Sequence, residues 1–388
     1  MAPSPSASFL ARLRFFLVVV LPAAILMALE MVSSRLLAPH FGNSVYVWGS
    51  IIGVFLAAMS LGYAWGGRLA DRRPTLHTLG LLLLGSAALQ ALVLTFGEGW
   101  TAALGRWTSA SPSGTLIACG LLFAPPTVLL STVSPFVVRL AAKQIELLGD
   151  TAGRLFAMST AGSLAGTLGA TFVLIPTLPL DAIFRLLMAA TVVSSMLALS
   201  AAPRRSGPAF AIAAALGLYA LVPRVAPLDD FVRERRQTAY QQLEVHATGT
   251  VRALYSNGVP QSMDDLATGR SLLPPVNGLA LAAALVPTPE RALIIGMGSG
   301  SLHSLERAVE GLQVDLVDVD PGVVDLAREH FALAADARTF ADDGRRFLGR
   351  RPDDRWDIIV VDTYIGSSLP FHLSTQEFFQ EIRRHQTP

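Results

Sequence analysis

The sequence predicts a multi-pass α-helical membrane domain, followed by a small β module and an α/β domain of nucleotide-binding type. Three observations predict it. Of 388 residues, 52% are hydrophobic and only 15% charged, too apolar for an ordinary soluble protein. The apolar excess lies almost wholly in residues 1 to about 225, and the remainder has the composition of a globular domain. The third observation is the stretch 291–321, RALIIGMGSGSLHSLERAVEGLQVDLVDVDP. There a short apolar run leads into a glycine-rich turn, a helix-like segment over 302–312 and a second strand over 314–318. These features set domain boundaries of 1–225, 226–285 and 286–388.

Composition also excludes classes. A net charge of +1 argues against nucleic acid as a partner. A single cysteine, Cys119, excludes an internal disulfide and a thiolate metal cluster. It stands in an apolar segment and reads as a small packed residue.

In the apolar half, runs over about 15–37, 41–67, 78–97, 107–138, 155–180 and 186–203 each supply the roughly 20 residues a spanning helix needs. The first is too long, and too polar at its end, for a cleaved signal peptide. Residues 206–223 form a shorter seventh candidate. Arg12 and Arg14, then Arg68, Arg72 and Arg73, then Arg139 and Lys143, then Arg204 and Arg205 mark alternate loops, which places the N-terminus inside. A seventh span would put the following domain outside, yet Arg224, Arg233, Arg235 and Arg236 follow it. We therefore expect a cytoplasmic domain. Gly162-x-x-x-Gly166 and Ala165-x-x-x-Gly169 read as close helix contacts. Pro125-Pro126 and Pro135 are expected to break or kink the fourth span. Glu30 is a functional candidate if it lies deep in the bilayer and an interfacial residue if it does not. Gly66 to Arg73 resembles a loop between two helices of major facilitator transporters, over eight residues.

Residues 222–230, with Pro223 and Pro227, read as a linker. Arg233–Arg236 read as a solvated or headgroup-facing face. Residues 240–245 and 251–255 read as two short strands, with a turn at Ser256-Asn-Gly258. At the glycine turn, Gly296, Gly298 and Gly300 let the chain turn sharply and let a ligand lie against the backbone. Asp318 falls about 18 residues after Gly300, where a carboxylate can accept both hydroxyls of a ribose. The bland alternative is a glycine turn beside a solvated acid. A helix follows Pro321, then Asp342-Asp343-Gly344, then the buried run 356–361 ending at Asp362. Open α/β sheets bind ligands at the carboxyl ends of their strands. Gly296–Gly300, Asp318, Asp343 and Asp362 should therefore converge on one crevice of a Rossmann-like domain. There Asp343 can accept from an adenine amino group, and Asp362 is left for the reacting group. His303 reads as a helix-surface residue and His372 as part of a loop over the crevice.

The order Tyr240-Gln241, Leu254-Tyr-Ser-Asn-Gly-Val-Pro-Gln261, Gly296-x-Gly298-x-Gly300, Asp318-x-Asp320-Pro321, Asp343-Gly344 and Val361-Asp362 resembles spermidine synthases. More narrowly, it resembles the bacterial membrane-fused spermidine synthase-like proteins. The resemblance implies the fold shared by S-adenosylmethionine methyltransferases and spermidine synthases. It implies transfer of an aminopropyl group from decarboxylated S-adenosylmethionine to a small amine or polyamine, without a metal. It makes Asp318 the ribose ligand, Asp343-Gly344 the adenine contact, Asp362 the proton acceptor, and Gln241 part of the donor and substrate site. It implies a multi-pass protein of the bacterial inner membrane, in contact with lipid, and leaves homo-oligomers open. Departures bear on the acceptor. Ser299 replaces an acid in the glycine loop, Ile365 replaces a second acid after Asp362, and 267–283 lacks the tyrosine that lines a diamine pocket. The chain also stops after a helix over 375–384, which reads as a truncated sheet with 356–361 as an apolar edge. The alternatives are a methyltransferase using S-adenosylmethionine, or a transporter or sensor that binds a nucleoside without chemistry.

Overall fold

The computed structural model describes residues 5–42, 44–108, 111–141, 148–201, 203–222, 230–281, 285–364 and 369–387. The chain divides into two compact units, Met1–Arg224 and Val225–Pro388. The expected linker at 222–230, Lys143 and Ile365 lie largely or wholly outside the described residues.

The first unit is helical. Its helices are α1 (Pro5–Phe41), α2 (Val45–Arg72), α3 (Leu76–Trp107), α4 (Pro112–Ser131), α5 (Val133–Ala141) and α6 (Leu148–Gly169). A π-helical stretch, Ala170–Leu174, then leads into the single turn α7 (Ile175–Thr177), α8 (Leu180–Leu199) and α9 (Gly207–Leu221). Among the described residues, six helical stretches are long and apolar enough to cross a membrane: Arg12–Phe41, Val45–Arg72, Leu76–Trp107, Pro112–Ala141, Ala152–Thr177 and Leu180–Leu199. The expected seventh candidate is the shorter helix α9.

Helix starts follow local chemistry. Thr75 caps α3 by accepting Thr78 N–H at 3.1 Å, and Ser111 caps α4 by accepting Gly114 N–H at 3.2 Å. One small-residue motif works as expected. A Cβ on Gly162 would lie 2.5 Å from Val20 O, and one on Gly166 would lie 2.1 Å from Ala24 O, so α1 and α6 touch through bare backbone. The other does not: a Cβ on Gly169 meets nothing within 4 Å, and Ala165 is exposed. Two further expectations are corrected. Pro125-Pro126 sits inside a continuous α4, and the break comes at Thr132, ahead of Pro135, whose missing N–H ends the ladder there. Residues from Gly66 to Arg72 form the last turns of α2 rather than a loop, with Asp71 held by Arg139 at 3.2 Å.

The second unit contains two sheets. The first is an antiparallel meander, β1 (Val232–Gln237), β2 (Gln242–Thr248), β3 (Val251–Ser256), β4 (Val259–Asp265) and the short β5 (Arg270–Ser271). The expectation of two strands is thus too few. Strand β1 was missed because its Val-Arg-Glu-Arg-Arg-Gln run reads as a charged surface. Arg233 and Arg235 are exposed, as expected of a solvated face, but two of the three arginines also pair with acids: Arg235 lies 2.7 Å from Glu244, and Arg236 lies 2.5 Å from Glu234 and 2.7 Å from Glu329. The β3–β4 turn has Asn257 and Gly258 both at positive φ, 49° and 78°, the twist a two-residue hairpin needs.

The second sheet is parallel, with strands β6 (Arg291–Ile295), β7 (Gln313–Asp318), β8 (Arg338–Ala341) and β9 (Ile358–Val361) in the order β8-β7-β6-β9. The helices of this half are α10 (Pro274–Ala280), α11 (Leu305–Ala308), α12 (Pro321–His330), α13 (Gly344–Gly349) and α14 (Gln376–His385). One core joins Leu243, Val245 and Leu254 of the meander to Ile294, Leu316 and Val360 of the parallel sheet. A second lies beneath α13 and α14, around Phe347, Trp356, Phe378 and Ile382. The expected edge at 356–361 is partly covered: α14 packs over its Trp356 end, which also makes a parallel bridge to Gln386. The expected helix over 302–312 is shorter. It is a 3₁₀ turn, Ser301–Ser304, followed by α11, and Val309 is already extended.

Candidate active site

The four parallel strands deliver their carboxyl ends to one cavity of about 350 Å³. Gly296, Met297 and Gly298 follow β6, Asp318 ends β7, Asp342-Asp343-Gly344 follow β8 and Asp362 follows β9, and all of these line it. Gln241 from the start of β2 lines it too, whereas Gly300 does not. Gly300, at φ 83°, instead turns the chain into the 3₁₀ segment.

Two glycines are fixed by close approach. A Cβ on Gly296 would lie 2.0 Å from Asp362 O, and one on Gly298 would lie 2.4 Å from Ser262 Oγ. Both have positive φ, 91° and 52°, where a side chain is strained in any case. Gly344 lacks a side chain for a packing reason, since a Cβ there would meet Ile295 Cγ2 at 2.2 Å.

Asp318 is oriented by backbone. Its carboxylate accepts Met297 N–H at 3.2 Å and Asp320 N–H at 3.0 Å. Burial pushes its carboxyl up from 3.8 to about 6. The neighbouring Asp320 carboxylate adds to the rise, while N–H groups of Asp320, Met297 and Gly298 pull against it. Asp362 is half-buried, and burial raises its pKa as well. Among the described residues, no hydrogen bond to the Asp362 carboxylate is present, so it retains its accepting capacity.

Asp343 is more committed than the sequence suggested. One oxygen caps α13 by accepting Arg346 N–H at 3.0 Å, and the other lies 2.7 Å from His372 Nε2. Burial works against its ionisation, but the Arg346 N–H and the His372 ring together outweigh it, and its pKa lies below the usual value. An adenine contact would have to use the lone pairs left over. Gln241 is also tied at both ends. It donates to Asp320 Oδ2 at 3.1 Å and accepts from the Ser256 hydroxyl. Thr238 donates to the same Asp320 oxygen at 2.7 Å.

His372 lies over the crevice as expected, whereas Ser262 and Ser301 carry no signal in the sequence. His372 stands on the 3₁₀ turn Phe371–Leu373 and lines the cavity beside Tyr364 and Pro370. His303 is largely buried, with Nδ1 3.6 Å from Glu306, rather than on a helix surface. Ser262 and Ser301 line the cavity from β4 and the 3₁₀ turn. No local pattern marks them. Asp320 did leave a signal, because an acid before proline at a helix start is a cap, and it accepts Gly322 N–H at 3.0 Å.

The cavity wall carries Asp318, Asp342, Asp343 and Asp362, and among the described residues its lining contains no Lys or Arg. Arg346 bonds Asp342 from the flank and Arg350 lies 3.3 Å from it. Such a wall suits a cation. Away from the cavity, Glu234, Glu329 and His330 bring ligand atoms within 4.8 Å of one another. However, the Arg236 guanidinium already bonds both acids, at 2.5 and 2.7 Å, and takes the place a metal would have.

The "probable polyamine aminopropyl transferase" of Bifidobacterium longum is 38% identical over 111 residues, 28% of this chain and 25% of that protein. The polyamine aminopropyltransferase of Vibrio vulnificus is 34% identical over 103 residues, 25% of this chain and 34% of that protein. Spermidine synthase 1 of Pisum sativum is 30% identical over 112 residues, 26% of this chain and 33% of that protein. The chain thus spans about a quarter to a third of the length of these curated relatives. A probable spermidine synthase structure from Corynebacterium glutamicum superposes with a TM-score of 0.35 at 21% identity, covering 40% of this chain and 60% of that one. Human methyltransferase-like protein 13, solved with S-adenosylhomocysteine, gives 0.28 at 20% identity, covering 30% and 61%. No protein-family model matches the chain.

Proposed function

We propose that this chain is a membrane-tethered, spermidine synthase-like aminopropyltransferase that moves an aminopropyl group from decarboxylated S-adenosylmethionine to a small amine or polyamine. The observation that carries the reading is the single cavity in which Asp318 and Asp362 stand at the ends of β7 and β9, on either side of the glycine turn, in a wall without Lys or Arg. In this reading the glycine turn receives the nucleoside and Asp318 accepts the ribose hydroxyls. The sulfonium and ammonium of the donor face carboxylates, which favour them electrostatically.

The amine is protonated at neutral pH and attacks only after losing a proton. Asp362, half-buried and without a hydrogen bond among the described residues, takes that proton. The amine lone pair then forms a bond to the aminopropyl carbon on sulfur. The carbon–sulfur bond breaks with its electron pair going to sulfur, which leaves as the neutral thioether 5′-methylthioadenosine. Burial that raises the pKa of Asp362 makes it a stronger base for this step. The six long apolar helices support a bacterial inner-membrane location. The adenosyl donor is made in the cytoplasm, which supports a cytoplasmic second unit.

The test is a transfer assay on the full chain in detergent, with decarboxylated S-adenosylmethionine and a panel of amines. Formation of 5′-methylthioadenosine and an aminopropylated amine is expected. Methylated product from S-adenosylmethionine would instead establish the methyltransferase reading, and donor binding without product would establish a binding module.

A further inference from the structure

The glycine turn is held from behind by a carboxylate on another strand. Asp264 of β4 is 6% exposed, and Ser299 within the turn is 1% exposed. Ser299 donates its hydroxyl to Asp264 Oδ2 at 2.5 Å, and Ser301 donates to Oδ1 at 2.7 Å. The two hydroxyls are 2.7 Å apart, and Ser299 N–H donates to Ser262 Oγ at 2.9 Å. Ser262, Gly298 and Ser301 line the cavity, and Asp264, outside the lining, holds the Ser301 hydroxyl.

Among the described residues, no cation is paired with Asp264. Arg252 is its register partner on β3, but the Arg252 guanidinium donates to Gly249 O at 3.0 Å and Val251 O at 3.2 Å. Among the described residues Asp264 makes no ion pair. A buried carboxylate held by hydroxyls alone is costly. In low dielectric its field reaches the adjoining cavity with little screening.

We propose that Asp264 is the specificity-determining charge of the glycine turn. It acts through Ser299 and Ser301, sets the geometry of the turn, and favours a donor whose side chain ends in an ammonium. The glycine turn itself carries a serine, so the selecting charge comes from the meander. This inference rests on the nucleoside-donor reading of the cavity, and the experiment separates the two.

Calorimetry on the full chain compares decarboxylated S-adenosylmethionine, which carries the ammonium, with 5′-methylthioadenosine, which lacks it. Asp264→Asn keeps an acceptor and removes the charge. It is expected to weaken the cationic donor about tenfold or more and the neutral nucleoside less than about threefold. Asp264→Glu, which keeps the charge, is expected to retain the wild-type preference for the cation. Equal weakening of both ligands by Asp264→Asn, or loss of the preference in Asp264→Glu, would overturn the proposal and leave the nucleoside reading standing. A wild-type chain that binds neither ligand would overturn both.

Discussion

Buried hydroxyls in the two units answer to different partners. In the helical unit most bond to their own helix: Ser131 donates to Thr127 O at 2.7 Å, Thr191 to Leu187 O at 2.9 Å and Thr101 to Gly97 O at 2.9 Å. A few cross between helices, as where Ser195 donates to Gly80 O at 2.8 Å and Ser86 to Pro126 O at 3.0 Å. In the second unit the buried polar groups bond to distant strands. Gln241 reaches Asp320, Ser299 reaches Asp264, and Trp356 Nε1 reaches Asp315 at 2.8 Å. A hydroxyl closed on its own helix is satisfied inside a span without a partner from elsewhere. Polar groups that converge from many strands build a site, and each one left unpaired stays available to a ligand.

Four changes test this contrast, the largest first. Asp362→Asn keeps the size of the side chain and removes its charge. Turnover should fall roughly 10²–10⁴-fold, the range for losing a general base, with donor affinity nearly intact. Steady-state kinetics alongside calorimetry will measure both. Asp318→Ala should weaken an adenosyl ligand by roughly 1–3 kcal/mol, since the ribose would lose a charged acceptor. Unchanged affinity would break the ribose assignment.

Gly166→Leu should destabilise the helical unit by roughly 1–3 kcal/mol, because a side chain there overlaps Ala24 O. It should leave nucleoside affinity unchanged, and thermal unfolding with and without nucleoside checks this. The smallest change is in pH. The Asp318 carboxyl rises from 3.8 to about 6 on folding. A raised acid contributes stability that is fully present below about pH 4 and lost as pH rises through about 6. Ribose binding needs the ionised form, so affinity should fall as pH drops below about 6. A flat affinity profile between pH 5 and 8 would contradict that role.

How much was legible follows the same division. Periodic signals carry composition and local motif, so the apolar spans, the glycine turn, Asp318 at the end of β7 and Asp362 after β9 could be read directly. Side chains that reach the site through strand pairing could not. Asp264 sits in an ordinary Met-Asp-Asp run, and only the β3–β4 hairpin carries it to the turn. His372 looked like a loop residue because nothing in the sequence places it on Asp343. Gly344 lines the cavity as expected, but the packing of Ile295 against it is a second reason for the glycine that the sequence does not carry. The helix over 302–312 is shorter than expected because its first turn is 3₁₀ and Val309 is already extended.

The central claim is that the cavity at the four strand ends binds an adenosyl donor by its ribose. A structure of the chain with 5′-methylthioadenosine bound tests it most directly. The expected result is both ribose hydroxyls within hydrogen-bond distance of the Asp318 carboxylate, with the thioether turned toward Asp362. A nucleoside bound elsewhere, or one in this cavity with its ribose away from Asp318, would contradict the account.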